Sequence, residues 1–268
     1  MDTRPIGIFD SGMGGLTGLK ALRALLPEEN LIYFGDTARM PYGGRPVGEL
    51  LHMTQQALDF LAGFDVKAVF VACGTVSSNT AELMARFPIP CFGVAHACID
   101  AMAQIPGDGP LAVLATEASI RSGAFTGPLA ARCPGREILP VPCPAFAPLI
   151  ESGHTAPDDA ALCAAIEEYL GPVKRAGAQA VLYGCTHYGF IDEAVRGYLG
   201  PEVRTVSASE CAARELRDYL VREGLTGGEG RERFFTSGDP AAVGELIARL
   251  LGRPLGGAVE AVPVWPVT

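Results

Sequence analysis

Lysine is almost missing from this 268-residue chain: only Lys20, Lys67 and Lys174 occur, and 21 basic residues stand against 30 acidic ones. The formal charge of −9 argues against a nucleic-acid-binding surface, which is normally basic. With lysine so scarce, and none within the stretches singled out below, no residue is placed to hold pyridoxal phosphate as a Schiff base. No apolar run reaches the ~18 residues of a membrane span. Met1-Asp-Thr-Arg-Pro5 leads into Ile6-Gly-Ile-Phe9 with no signal-peptide h-region. Charged residues make up only 19% of the chain and hydrophobic ones 49%, the balance of a compact globular protein. Its length allows one large or two modest domains.

Eight cysteines are present, but none forms a CxxC pair and none clusters as in a small disulfide scaffold. A chain with this much core needs no staples, so reduced thiols and a cytoplasmic setting are expected. Nucleotide-binding signatures fail as well. Gly12-Met-Gly-Gly15 follows a strand and opens a helix, yet GxGxxG requires glycine where Thr17 stands, and no Walker Gly-Lys-Ser/Thr occurs. These glycines read instead as a turn that lets backbone N–H groups approach an anion at a helix start.

Two cysteines share a setting. Ala180-Val-Leu-Tyr-Gly-Cys185-Thr-His-Tyr-Gly189 is an apolar run that stops at polar groups, as does Ala68-Val-Phe-Val-Ala-Cys73-Gly-Thr75, 112 residues earlier. Each reads as a buried parallel strand delivering a thiol at its carboxyl end. Taken singly, either is a buried strand cysteine, the usual fate of a free thiol. The repeat points to a pair. Inverting a stereocentre requires a base on one face and an acid on the other, and a thiol–thiolate pair can supply both. Asp10, at the end of the first strand, is either a helix cap or a member of this site. Cys185-Thr-His187 raises zinc, but no second pair stands at metal-ligand spacing, so no metal is expected.

Around these points strands alternate with helices, which implies parallel sheets. Strands are expected at 6–9, 31–34, 68–73, 88–95, 111–115, 180–183, 203–206 and 234–237. Residues 136–143 are Pro-interrupted and read as an edge strand at best. Helices are expected at 16–26, 47–63, from about 80 to 86, 158–170, 191–198, 208–222 and from 240, with 147–153 as a short apolar turn. The pattern restarts near residue 108, so two similar α/β halves are expected, each contributing one thiol. Ligands of such sheets sit beyond the strands' carboxyl ends. The tail through Trp265 is expected to pack back on the core.

Six collinear stretches carry a family resemblance. Gly7-Ile-Phe-Asp10-Ser11-Gly-Met-Gly-Gly15-Leu-Thr17, Tyr33-Phe-Gly-Asp36-Thr-Ala-Arg-Met-Pro41-Tyr42-Gly43 and Val71-Ala-Cys73-Gly-Thr75 come first. Thr116-Glu-Ala-Ser-Ile-Arg-Ser-Gly123, Pro148-Leu-Ile-Glu151-Ser-Gly153 and Gly184-Cys185-Thr186-His187-Tyr188 follow. Together they resemble the glutamate racemases. That resemblance implies a cofactor-independent enzyme that interconverts L- and D-glutamate for peptidoglycan. It implies two pseudosymmetric parallel-sheet α/β domains, 1–98 plus 209–268 and 99–208, with the site between them, in a homodimer.

Carried over by position, the resemblance makes Cys73 and Cys185 the catalytic thiols and Asp10 the acid beside the first. His187 and Glu151 become partners of the second, and Asp36 a supporting acid. Ser11, Pro41, Tyr42, Gly43, Thr75, Thr116 and Thr186, with Asp10, Gly74 and His187, would hold the substrate. The family also assigns Cys73 to D-glutamate and Cys185 to L-glutamate. A thiol near its ordinary pKa of ~8.5 is a poor base at neutral pH, so a helix start or a cationic His187 is expected to favour the thiolate. The chain departs from the pattern at Gly74, where Asn is usual, in the run Val76-Ser77-Ser78, and at Gly189, where Pro is typical. Gly74 and Ser77 or Asn79 are expected to stand in with the N–H or side-chain donors. Racemisation of aspartate or another small acid, and non-catalytic binding of an acidic amino acid, are the rival readings.

Overall fold

Short apolar runs form strands and longer amphipathic runs form helices in the computed structural model, which describes residues 1–266. The first half contains β1 (Ile6–Asp10), α1 (Leu16–Leu25), β2 (Leu31–Gly35), α2 (Val47–Ala62), β3 (Ala68–Val71), α3 (Gly74–Asn79), α4 (Ala81–Arg86), β4 (Cys91–Gly93) and α5 (Val94–Ala103). The pattern restarts with β5 (Leu111–Ala115), α6 (Glu117–Ser122), α7 (Thr126–Arg132), β6 (Ile138–Pro142), α8 (Phe146–Glu151), α9 (Ala160–Arg175), β7 (Ala180–Tyr183), α10 (Asp192–Leu199) and β8 (Arg204–Ser207). The chain then returns through α11 (Ala208–Arg222), β9 (Glu232–Thr236), α12 (Pro240–Leu251) and β10 (Val259–Ala261).

Two parallel sheets result. One has the order β10-β9-β2-β1-β3-β4 and the other β6-β5-β7-β8. Removing β9 and β10 leaves β2-β1-β3-β4, the same winding as the second sheet, with β1 and β3 matched by β5 and β7. The expected α/β class with two pseudosymmetric halves is what the chain adopts. β1, β3, β5 and β7 are buried along their whole length, because each is a central strand covered on both faces. One continuous apolar cluster runs from α1 through α5 and α11 into the second sheet, and a second lies under α2 on the far face of the first.

Several local expectations change. The strand expected over 88–95 is confined to Cys91–Gly93, since Pro88 and Pro90 precede it and Val94 already opens α5. The short apolar turn expected over 147–153 is instead the helix Phe146–Glu151 followed by Ser152 and Gly153. Helix α9 continues past Leu170 to Arg175 with Pro172 inside its last turns. Prolines 140 and 142 leave β6 at a sheet edge, as expected of a strand lacking those donors. Trp265 does pack back, its ring 5.7 Å from Phe34 and 5.8 Å from Phe60. Among the described residues no helix is long and apolar enough to cross a membrane.

Candidate active site

Strand register brings the site together. Phe9 pairs with Val71, and its carbonyl accepts the Ala72 N–H at 2.8 Å. Asp10 and Ser11 thus leave β1 beside Cys73 leaving β3, and Ser11 Oγ lies 3.2 Å from Cys73 Sγ. The second sheet repeats the arrangement. Leu114 pairs with Tyr183 and accepts the Gly184 N–H at 2.8 Å, so Thr116 and Cys185 reach the same sheet edge. A single cavity of about 660 Å³ is lined by both thiols. Asp10, Ser11, Pro41, Tyr42, Gly43, Gly74, Thr75, Thr116, Glu151, Thr186 and His187 line it too.

The thiols differ in surroundings. Cys73 is buried, and burial followed by the neighbouring Asp10 carboxylate pushes its pKa up to about 11, against the Ser11 hydroxyl and the Thr75 and Val76 N–H groups, which lower it. The helix start was expected to favour the thiolate outright; its amides are present, but burial outweighs them. Cys185 Sγ lies 3.6 Å from His187 Nδ1, and His187 Nε2 lies 3.0 Å from Glu151 Oε1. Burial disfavours the imidazolium, yet bonds to Cys185 and Glu151 and the charge of Asp10 raise His187 to about 10. Protonated, the ring offers an N–H to both neighbours.

Asp10 accepts the Gly15 N–H at 2.9 Å. Tyr33, held as a phenol first by burial and then by Asp10, donates to the Gly12 carbonyl at 2.7 Å. Gly14 allows the two halves to touch: a Cβ there would lie 2.4 Å from Thr186 Oγ1 and 2.5 Å from His187 Nδ1. Thr17 pins the same seam, its hydroxyl donating to the Thr186 carbonyl at 3.0 Å beside Ser209 Oγ at 2.9 Å. A Cβ on Gly74 would meet the Gly184 carbonyl at 3.3 Å and the Phe125 ring at 3.4 Å, so Phe125 fills the space beside the glycine.

Asp36 stands apart from the cavity lining. It is fully buried and accepts from Arg39 Nε and Ser237 Oγ, each at 2.6 Å, and from the Tyr42 hydroxyl. The cavity also has walls that were assigned no role from the sequence: Met40, Glu117 and Arg121, then Pro144, Ala147 and Pro148. Met40, Glu117, Arg121 and Pro148 fall within the resemblance stretches, whereas Pro144 and Ala147 lie outside them. Among the described residues no three His, Cys, Asp or Glu side chains converge as a metal site.

A cavity between two like-wound parallel sheets, with one cysteine from the same strand position of each, defines the class. The Asp/Glu/hydantoin racemase family matches residues 19–216, and the chain belongs to that family of isomerases. Glutamate racemase of Thermus thermophilus is 39% identical over 261 residues, covering 96% of this chain and 95% of that protein. A solved glutamate racemase isoform from Bacillus anthracis covers all of both chains with a TM-score of 0.88 at 30% identity. The Francisella tularensis glutamate racemase solved with D-glutamate covers 98% of both at 0.85 and 30%. Within the family, this chain groups with the glutamate racemases.

Proposed function

We propose that the chain interconverts L- and D-glutamate without a cofactor, with Cys73 and Cys185 acting on opposite faces of Cα. The observation that carries this reading is the single cavity lined by equivalent thiols of the two sheets. In one direction the Cys73 thiolate takes the α-proton and becomes a thiol, while the Cys185 thiol gives its proton to the other face and becomes a thiolate. The reverse direction exchanges the roles. The enzyme thus ends each turnover with its one thiolate on the opposite sulfur. Ser11, Thr75, Thr116 and Thr186 hydroxyls and the backbone of Pro41–Gly43 and Gly74 hold the carboxylates and amine. Their donors offset the charge that builds up as the α-proton leaves. Asp10 serves Cys73, and His187 with Glu151 serves Cys185, holding protons near the sulfur.

None of the three lysines lines the cavity, so no residue there would hold pyridoxal phosphate as a Schiff base. We place the domains at 1–98 plus 209–268 and at 99–208, and the protein in the cytoplasm as a homodimer that supplies D-glutamate for peptidoglycan. The test is proton NMR of L-glutamate with the enzyme in D₂O, followed by chiral analysis. Loss of the Cα proton with appearance of D-glutamate is expected, and Cys73→Ala and Cys185→Ala should each abolish racemisation. Full activity in either variant overturns the two-base scheme. Absence of exchange with glutamate but exchange with aspartate would move the substrate, and binding without exchange would leave a non-catalytic receptor.

A further inference from the structure

Asp36 does not line the cavity, yet it is the centre of a chain of contacts that does. Its carboxylate holds the Tyr42 hydroxyl, and Tyr42 is the one aromatic anchor of the cavity-lining stretch Met40–Gly43. The same carboxylate binds Arg39, which is itself 6% exposed. Arg39 Nη1 donates to Gln56 Oε1 of α2 at 2.7 Å and to the Trp265 carbonyl at 3.2 Å. Its guanidinium also lies over the Trp265 ring, 5.6 Å from the centroid. The Pro266 carbonyl meets the side chains of His52 and Gln56 at 3.2 and 3.1 Å.

A buried ion pair is stable only when its remaining donors and its cover are supplied. Here the C-terminal segment contributes to both, a carbonyl for one N–H and an indole face for the cation. We propose that this segment, through Trp265, is a positioning element for the substrate loop. Asp36 and Arg39 are its transmitting residues, positioning groups and not proton carriers. Three donors occupy the Asp36 carboxylate, and the loop it holds lines the cavity. Removing the indole frees Arg39, Arg39 releases Asp36, and the Tyr42 anchor loosens while both thiols stay in place. The kinetic arm of the test rests on the proposed glutamate reaction; the structural arm does not.

The experiment compares full-length wild type, Trp265→Ala, Trp265→Phe and Arg39→Lys by hydrogen–deuterium exchange and by glutamate kinetics. Trp265→Ala should speed exchange of the peptide covering Met40–Arg45 roughly tenfold, through easier local opening. It should raise KM about tenfold with kcat changed less than about threefold, because the loop binds and orients substrate. Trp265→Phe should restore most of both. Arg39→Lys keeps the charge but not the fork and should follow the alanine variant, which serves if Trp265→Ala does not fold. A lower melting temperature with unchanged loop exchange and KM overturns the inference. Wild type inactive on glutamate, with loop exchange still responding to Trp265, removes the glutamate reading and leaves the positioning role standing.

Discussion

At the residue scale the two thiols are not equivalent, although the strands that carry them are. Cys73 has an acid and a hydroxyl for neighbours; Cys185 has an imidazole backed by a carboxylate. Burial disfavours a negative charge on Cys73, and the charge of Asp10 disfavours it further. Asp10→Asn removes the second effect and leaves the first. The midpoint for iodoacetamide alkylation of the Cys73 peptide, followed by mass spectrometry against pH, should therefore fall from about 11 toward the ~8.5 of a free thiol. An unchanged midpoint would mean that burial alone sets it. The Cys-Gly-Thr and Cys-Thr-His stretches disclosed both thiols in the sequence and the family resemblance implied their different partners, but the rise at Cys73 was not legible, because it comes from burial by other elements. Asp36 has the converse history: the resemblance marked it as a supporting acid, and only the fold shows its three buried donors.

At the element scale, the turns after β1 and β7 decide how closely the halves meet. Gly14 is the point of contact, so Gly14→Ala should push Thr186 and His187 aside. The expected cost is ~1–3 kcal/mol of stability for overpacking, with activity falling more than the melting temperature suggests. Urea unfolding and turnover measured on the same preparation check both. Central strands and the longer helices were legible because their hydrophobic periods run for several residues. The elements missed or misread were α3, α5, α7, α8, β10 and the ends of β4 and α9, mostly short or interrupted by proline. There, tertiary burial overrides the local preference: Val94 starts a helix because α5 fills the space beside α11 and the second sheet.

At the scale of the whole molecule, the N-terminal segment, the loop between α11 and β9 and the first sheet are tied by one buried cation. Lys67 Nζ meets Glu29 Oε2 at 2.5 Å and donates to the carbonyls of Asp2, Leu225 and Gly227 at 2.7–3.1 Å. Lys67→Met leaves Glu29 buried without its partner and should cost about 3–5 kcal/mol, read as a lower urea midpoint. None of these residues lines the active cavity, so KM for glutamate should stay within about twofold at temperatures where the variant is folded. A large rise in KM would show that the tie also sets the cavity.

The sequence by itself determined the α/β class, the restart that makes two halves, and the pair of strand-terminal thiols. Those properties follow from hydrophobic period, from the glycine and proline that end it, and from residue identity, all of which are local. Tertiary structure decided the rest. Which edges face each other, that burial raises Cys73, that Phe125 fills the space beside Gly74, and that Trp265 covers Arg39 depend on groups far apart in the chain. Burial and charge act through space, and no spacing along the chain encodes their sum.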